Sequence, residues 1–318
     1  MHVPKEIAVK ANWAVVDPFY REFARKLQQM GIAGLTTGGN ACIAYHLAQA
    51  TKDCDIIVPV EHCEQLVRVL AATSLGGMKP HYTLKYGAPF ARPWTDGGWS
   101  SHTYFGPAND PTARLDFFAR PPRVENPSCD EHQLYLSRDG VARMKKTCRD
   151  RDWAFANLLG VQMLQRKDER GLLHVHTPRD LIEAISKIKP TDALLAERPI
   201  LKLAQGGHPE LERYLKAEIE FWKQLDELRL SAYAEAWKPY GKQLQAEKGL
   251  QDADLEAQHE RLVKIANDLL DPDPLQKVGE RALVEKAKAK TQDLFRELDT
   301  TLLPTPNIIP RTSNLAEL

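Results

Sequence analysis

The sequence predicts an α+β fold: a β-sheet flanked by helices, followed by a helical C-terminal domain. Three observations predict it. Up to about residue 190, short apolar runs bounded by Gly and Pro alternate with stretches of helical period. From Pro209 onward, Leu211, Leu215, Ile219, Trp222, Leu225 and Leu228 form one apolar stripe at helical spacing, and further helical stretches follow it. Between Lys189 and Gly207 the Pro and Gly residues gather, which places a boundary there.

Each element has its own warrant. Asp17 to Met30 is an amphipathic helix, with Asp17 as cap, Pro18 in the first turn and Phe19, Phe23, Leu27 and Met30 on one face. Gly31 ends it. Ile32 to Thr37 is a first strand, Asn40 to Gln49 a helix, and Lys52 to Val58 a second strand stopped by Pro59. Glu61 to Ala72 is a helix, with Leu66, Val69 and Leu70 inward. Tyr82 to Tyr86 and Ser100 to Phe105 have strand composition, and the Pro-, Gly- and Trp-rich loop Gly87 to Gly98 lies between them. Ala113 to Ala119 is a strand terminated by Pro121-Pro122. Val141 to Leu164 is one helix, charged in its first half and apolar in its second; Pro178 to Ile188 is another. In the C-terminal part, Pro239 interrupts the apolar stripe, and Leu255 to Leu270 and Val278 to Leu298 supply two more helices. The Pro-containing end, Leu303 to Leu318, is expected to be extended or disordered.

Composition narrows the function classes. The formal charge is zero over 318 residues, but residues 191–318 hold 18 basic and 23 acidic side chains. The first 190 therefore hold 43−18=25 basic and 43−23=20 acidic, a mild positive excess compatible with nucleoside triphosphate or RNA. Cys42, Cys54, Cys63, Cys129 and Cys148 are odd in number and show no CxxC spacing, which argues against a disulfide frame or a zinc site. The N-terminus has no continuous apolar stretch and no run reaches transmembrane length, so the expectation is a cytoplasmic protein without a membrane partner.

The chain is organised around Leu35 to Val58. Leu35-Thr36-Thr37 runs into Gly38-Gly39-Asn40, a helical segment follows, and the stretch closes with Asp53-Cys54-Asp55-Ile56-Ile57-Val58. Two glycines at a strand-to-helix turn let a ligand approach the main chain closely. The N–H groups there favour an anion such as phosphate. Alternation along a strand makes Asp53 and Asp55 project together. Two adjacent carboxylates repel unless a cation lies between them, and magnesium with oxygen ligands suits the gap. Singly these features are ordinary: a Gly-Gly turn, a solvated acidic strand face, a basic helix face at 143–151. His46 reads as a packed or capping histidine. His174 and His176 flank Val175 without a nearby acid or cysteine cluster in sequence, a weak basis for a metal site.

Together, in this order, the residues resemble the nucleotidyltransferases of the DNA polymerase β-like superfamily. Gly38-Gly39, thirteen intervening residues, Asp53-Cys54-Asp55, and a later strand acid in Ala113-Arg114-Leu115-Asp116-Phe117-Phe118 match that pattern. The wording from Gly38 to Leu47 looks most like the minimal members that include abortive-infection-type toxins. The likeness covers about residues 15 to 190 and leaves the C-terminal third aside.

The resemblance implies a nucleotidyltransferase-type mixed sheet in residues 1–140 and a helical segment 141–200 completing the nucleotide site; the residue pattern itself adds a helical domain 201–303 and a tail 304–318. It implies transfer of a nucleoside monophosphate from a triphosphate such as ATP to an RNA end, a protein or a small molecule. Asp53, Asp55 and Asp116 would hold Mg2+ or Mn2+ and act in catalysis. Gly38, Gly39, Thr37 and Asn40 would meet the phosphates, with Lys145 and Lys146 balancing their charge and Asp152 in the same region. A toxin acting on tRNA, with an antitoxin protein as partner, is one option within this class. The alternative is an inactive scaffold of the same fold that binds a partner.

Overall fold

The computed structural model describes residues 13–130 and 133–309. Five strands form one mixed sheet: β1 (Leu35–Thr37), β2 (Cys54–Ile57), β3 (Pro80–Tyr82), β4 (Ser100–Phe105) and β5 (Ala113–Phe118), in the order β1-β2-β5-β4-β3. β2 and β5 run parallel, and the other neighbours are antiparallel. The outer side of β1 is closed by a short stretch: Thr36 N–H donates to Leu134 O and Leu136 N–H to Thr36 O.

Alternation sets the two faces. Cys54, Ile56, Leu115 and Phe117 are fully buried. They pack beneath α1 (Trp13–Gln29), where the Phe23 ring meets Phe117 at 6.3 Å, and in one core with Leu66 and Leu70 of α3 (Cys63–Ala71). Between those helices in sequence lies α2 (Gly38–Ala44). On the opposite face, Leu35 and Ile57 join a second cluster with Ala41 and Cys42 of α2, Val141 and Ala142 of α4 (Arg138–Met144) and Leu159 of α5 (Asp150–Gln165). That cluster fills one end of the face and leaves the other end to polar residues.

Several elements depart from the sequence reading. The first helix begins at Trp13, so Asp17 and Pro18 lie inside it and not at its start. The helix after the glycines stops at Ala44; His46 then takes a left-handed φ of 60° and Leu47 N–H donates back to Cys42 O, so the chain turns before Gln49. The expected helix Val141 to Leu164 is two helices. Residues Lys145 to Arg149 break it, because the buried Asp152 carboxylate gathers the Lys145 ammonium, the Thr147 hydroxyl and the Arg149 guanidinium. The strand expected at Tyr82 to Tyr86 is Pro80–Tyr82.

The remaining helices are α6 (Pro178–Lys187), α7 (Asp192–Glu197), α8 (Leu201–Gln205), α9 (Leu211–Ala246), α10 (Leu255–Leu269), α11 (Pro274–Val278) and α12 (Glu280–Leu294). Pro239 does not interrupt α9, against the sequence reading. It removes one donor, but Tyr240 and Leu244 beyond it stay buried, and that packing carries the helix on. One apolar core runs from the sheet into these helices without a gap. Residues 304–309 have no helix or strand, and Ile308 and Ile309 are buried. The remainder of the expected extended tail, 310–318, lies outside the described residues. No described helix is long and apolar enough to cross a membrane.

Candidate functional site

The sheet register puts four side chains in one row across four strands. Thr37 pairs with Asp55, Asp55 with Asp116, and Asp116 with His102. Direct partners share a face, so Thr37, Asp55, Asp116 and His102 stand side by side at the polar end of the sheet. Asp116 thus sits on the same face as Asp55, as the sequence reading requires.

The glycine turn is pressed onto this row. Gly38 has φ +60°, and a Cβ there would stand 1.8 Å from Asp55 Oδ2. A Cβ on Gly39 would stand 2.2 Å from Thr51 Oγ1. The Thr51 hydroxyl in turn donates to Asp53 Oδ1 at 3.1 Å, and Asn40 Nδ2 donates to Asp53 O at 2.8 Å. Asp53 precedes β2 and is not part of its ladder, so these contacts, and not strand alternation, place it.

Charge is unbalanced here. Burial, then the charges of Asp116 and Asp53, push the Asp55 carboxyl up to about 8, with Lys145 and Arg149 opposing that rise. Lys145 Nζ is held 3.2 Å from Asp152 Oδ1. Lys146, next in sequence, is turned into a different pocket: its Nζ donates to Leu173 O at 3.1 Å and lies 4.8 Å from the Trp222 ring centroid. The break after α4 thus sends one lysine towards the acids and the other away. Thr37 is fully buried beside Met144, and Asn40 is spent on the main chain of Asp53.

His102 is the residue that sequence reasoning missed. Its Nδ1 stands 2.7 Å from Asp116 Oδ1, and its Nε2 shares a 2.8 Å hydrogen bond with Ser100 Oγ. The Nδ1 contact lies off the line of a ring N–H, so the pairing is electrostatic more than a directed hydrogen bond. Gly87 (φ +84°) passes over the ring, where a Cβ would meet His102 Cδ2 at 2.6 Å. Tyr86 covers the ring edge-on at 4.6 Å. Only the Ser100-x-His102 spacing on a strand hinted at this pair, and that spacing equally fits a solvated sheet face.

The histidines singled out in the sequence stand apart from this row. His46 is exposed past the end of α2. His174 Nε2 lies 2.8 Å from Asp139 Oδ1 and His176 Nδ1 lies 3.5 Å from Glu218 Oε2; burial pushes them down to about 4 and about 3.

The acids supply hard oxygen donors, and the crowding that raises Asp55 is what a cation would relieve. Among the described residues, no three His, Cys, Asp or Glu side chains already converge as a metal site. The donor chemistry fits magnesium or manganese, and the side chains are not drawn around one point. No family model and no curated protein matches the chain.

Proposed function

We propose that the chain is a metal-dependent nucleotidyltransferase of the DNA polymerase β-like fold, carrying a helical C-terminal domain. It would move a nucleoside monophosphate from a triphosphate such as ATP to an acceptor oxygen on an RNA end, a protein or a small molecule. The observation that supports this best is geometric. Asp55 and Asp116 are direct cross-strand partners, and Gly38 is seated against the Asp55 carboxylate.

Mg2+ or Mn2+ held by Asp53, Asp55 and Asp116 would neutralise the triphosphate and the departing pyrophosphate. The chain's own residues would do the rest. Gly38 and Gly39, the first residues of α2, would offer main-chain N–H groups to the phosphates. Lys145 and Arg149 add positive charge beside Asp55. The acceptor oxygen bonds to the α-phosphorus as the bond to pyrophosphate breaks, and the acceptor proton passes to Asp116, whose carboxylate His102 holds in place.

Incubation with each labelled triphosphate, Mg2+ and a cell extract tests this reading. Label transfer by the wild type and its loss in Asp55→Ala are the expected results; no transfer by the wild type, or equal transfer by the variant, would overturn it. The toxin option rests on the sequence resemblance, and growth arrest on expression checks it. The lack of three converging ligands among the described residues favours a second reading, an inactive scaffold of this fold. Calorimetry separates the two: metal-dependent triphosphate binding that disappears in Asp53→Ala supports the enzyme, and no binding supports the scaffold.

A further inference from the structure

Behind α4, away from the acid row, lies a cavity of about 460 Å³ walled by α4, α7, α9 and the irregular segment 304–307. Neither Asp53, Asp55, Asp116 nor His102 lines it. Its size is that of pockets that take small molecules.

Most of its charges are already paired. Arg143 lies 3.0 Å from Asp139 and 2.5 Å from Glu197. Arg198 forks onto Glu218 at 2.5 Å and 2.9 Å. Arg123 faces Asp226 at 3.5 Å.

Lys146 is the exception. It is 6 % exposed, and among the described residues no carboxylate lies within ion-pair distance of it. One of its three donors goes to Leu173 O, and two are unspent. The buried indole N–H of Trp222, the ring beneath it, also has no partner among the described residues. A buried ammonium with no carboxylate in direct contact is costly: burial drives this one down to about 7, and Glu218 and Glu197, set against Arg198 and Arg143, offset that only in part. An incoming anion would supply both the charge and the acceptors.

The wall is built and strained. Arg123 holds a left-handed φ of 66° while nearly fully buried, a conformation that costs free energy in a non-glycine residue. From that position its guanidinium donates to Arg143 O at 2.9 Å and Met144 O at 3.3 Å, capping the last turn of α4. The segment 304–307 closes the outside, anchored by the buried Leu303 and Ile308.

We propose that this cavity is a second ligand site, taking a small anion with a phosphoryl or carboxylate head and of up to mononucleotide size, and that Lys146 binds the head. The site stands on its own residues and does not need the acid row to be catalytic.

The test titrates the full chain, in EDTA and low salt, with inorganic phosphate and separately with citrate. The readout is the Trp222 indole N–H resonance, assigned with Trp222→Phe. A saturable shift is expected with one of the two, which identifies the head group. Its midpoint should rise at least tenfold in Lys146→Met, stay close to wild type in Lys146→Arg, and be unaffected by Asp116→Asn, which alters only the acid row. No saturable shift with either anion, or the same midpoint in Lys146→Met as in wild type, would overturn the proposal. Should Lys146→Met not fold, the same comparison with Lys146→Gln decides.

Discussion

Asp55 carries an electrostatic liability, because it is buried beside two other carboxylates. Its carboxyl holds a proton up to about pH 8 when folded, against an ordinary 3.8. Between those values the folded chain binds one more proton than the unfolded chain, so stability falls as pH rises across that window. In EDTA, Asp55→Asn should flatten the slope and stabilise the protein at pH 7.5. The gain should be about 2 kcal/mol after discounting for the site's partial exposure, or roughly 3–5 °C in Tm. Mg2+ should raise the Tm of the wild type and leave the variant unchanged. Thermal melts across pH 5–8.5 with and without Mg2+ read both effects, and a variant less stable than wild type in EDTA would contradict the account. Gly38 makes the complementary case. At φ +60° and against Asp55 Oδ2, Gly38→Ala must move the turn or the acid. It should cost about 1–3 kcal/mol in chemical denaturation and abolish triphosphate binding in calorimetry.

At the scale of elements, the decisive feature is the interruption between α4 and α5. It holds no Gly or Pro, so local sequence reads through it. What stops the helix is one carboxylate, Asp152, collecting three donors, while Trp153 Nε1 ties back to Thr147 O at 3.0 Å. Asp152→Ala would strand the buried Lys145 ammonium. It should cost about 3 kcal/mol and weaken triphosphate binding more than Lys146→Met does, as calorimetry on the two variants would show. The same contrast explains what was legible in the chain. The acid-bearing strands, the glycine turn and most helices showed themselves through period and punctuation, which are local. Strand adjacency did not: His102 meets Asp116 only because β4 pairs with β5, a register set by the whole sheet. The choice between Lys145 and Lys146 needed the break, and α9 passing through Pro239 needed the packing of Tyr240 and Leu244.

For the molecule as a whole, the C-terminal helices serve as a wall of the half that carries the sheet. Gln258 Oε1 accepts from Tyr82 N–H at 2.8 Å, and Trp94 and Trp99 donate to Leu270 O and Asp271 O. Tyr233 OH donates to Gly97 O at 2.8 Å, and Trp237 Nε1 donates to Gly87 O at 3.0 Å. The Pro-, Gly- and Trp-rich loop Gly87 to Gly98 is therefore pinned at both ends by α9, and its Gly87 end roofs His102. Such a shared core leaves neither half able to bury its apolar surface alone. Urea unfolding followed by far-UV circular dichroism and by tryptophan fluorescence should give one coincident transition, since Trp94 sits in the loop, Trp99 directly after it, and Trp222 and Trp237 in α9. Two separated transitions would mean that the halves fold independently. Within that single unit, Trp237→Phe deletes one hydrogen bond from Gly87 O. It should cost about 1 kcal/mol in the same urea experiment. If the Gly87 roof keeps His102 against Asp116, the variant should also slow label transfer more than it weakens triphosphate binding. Equal losses in both would assign Trp237 to packing alone.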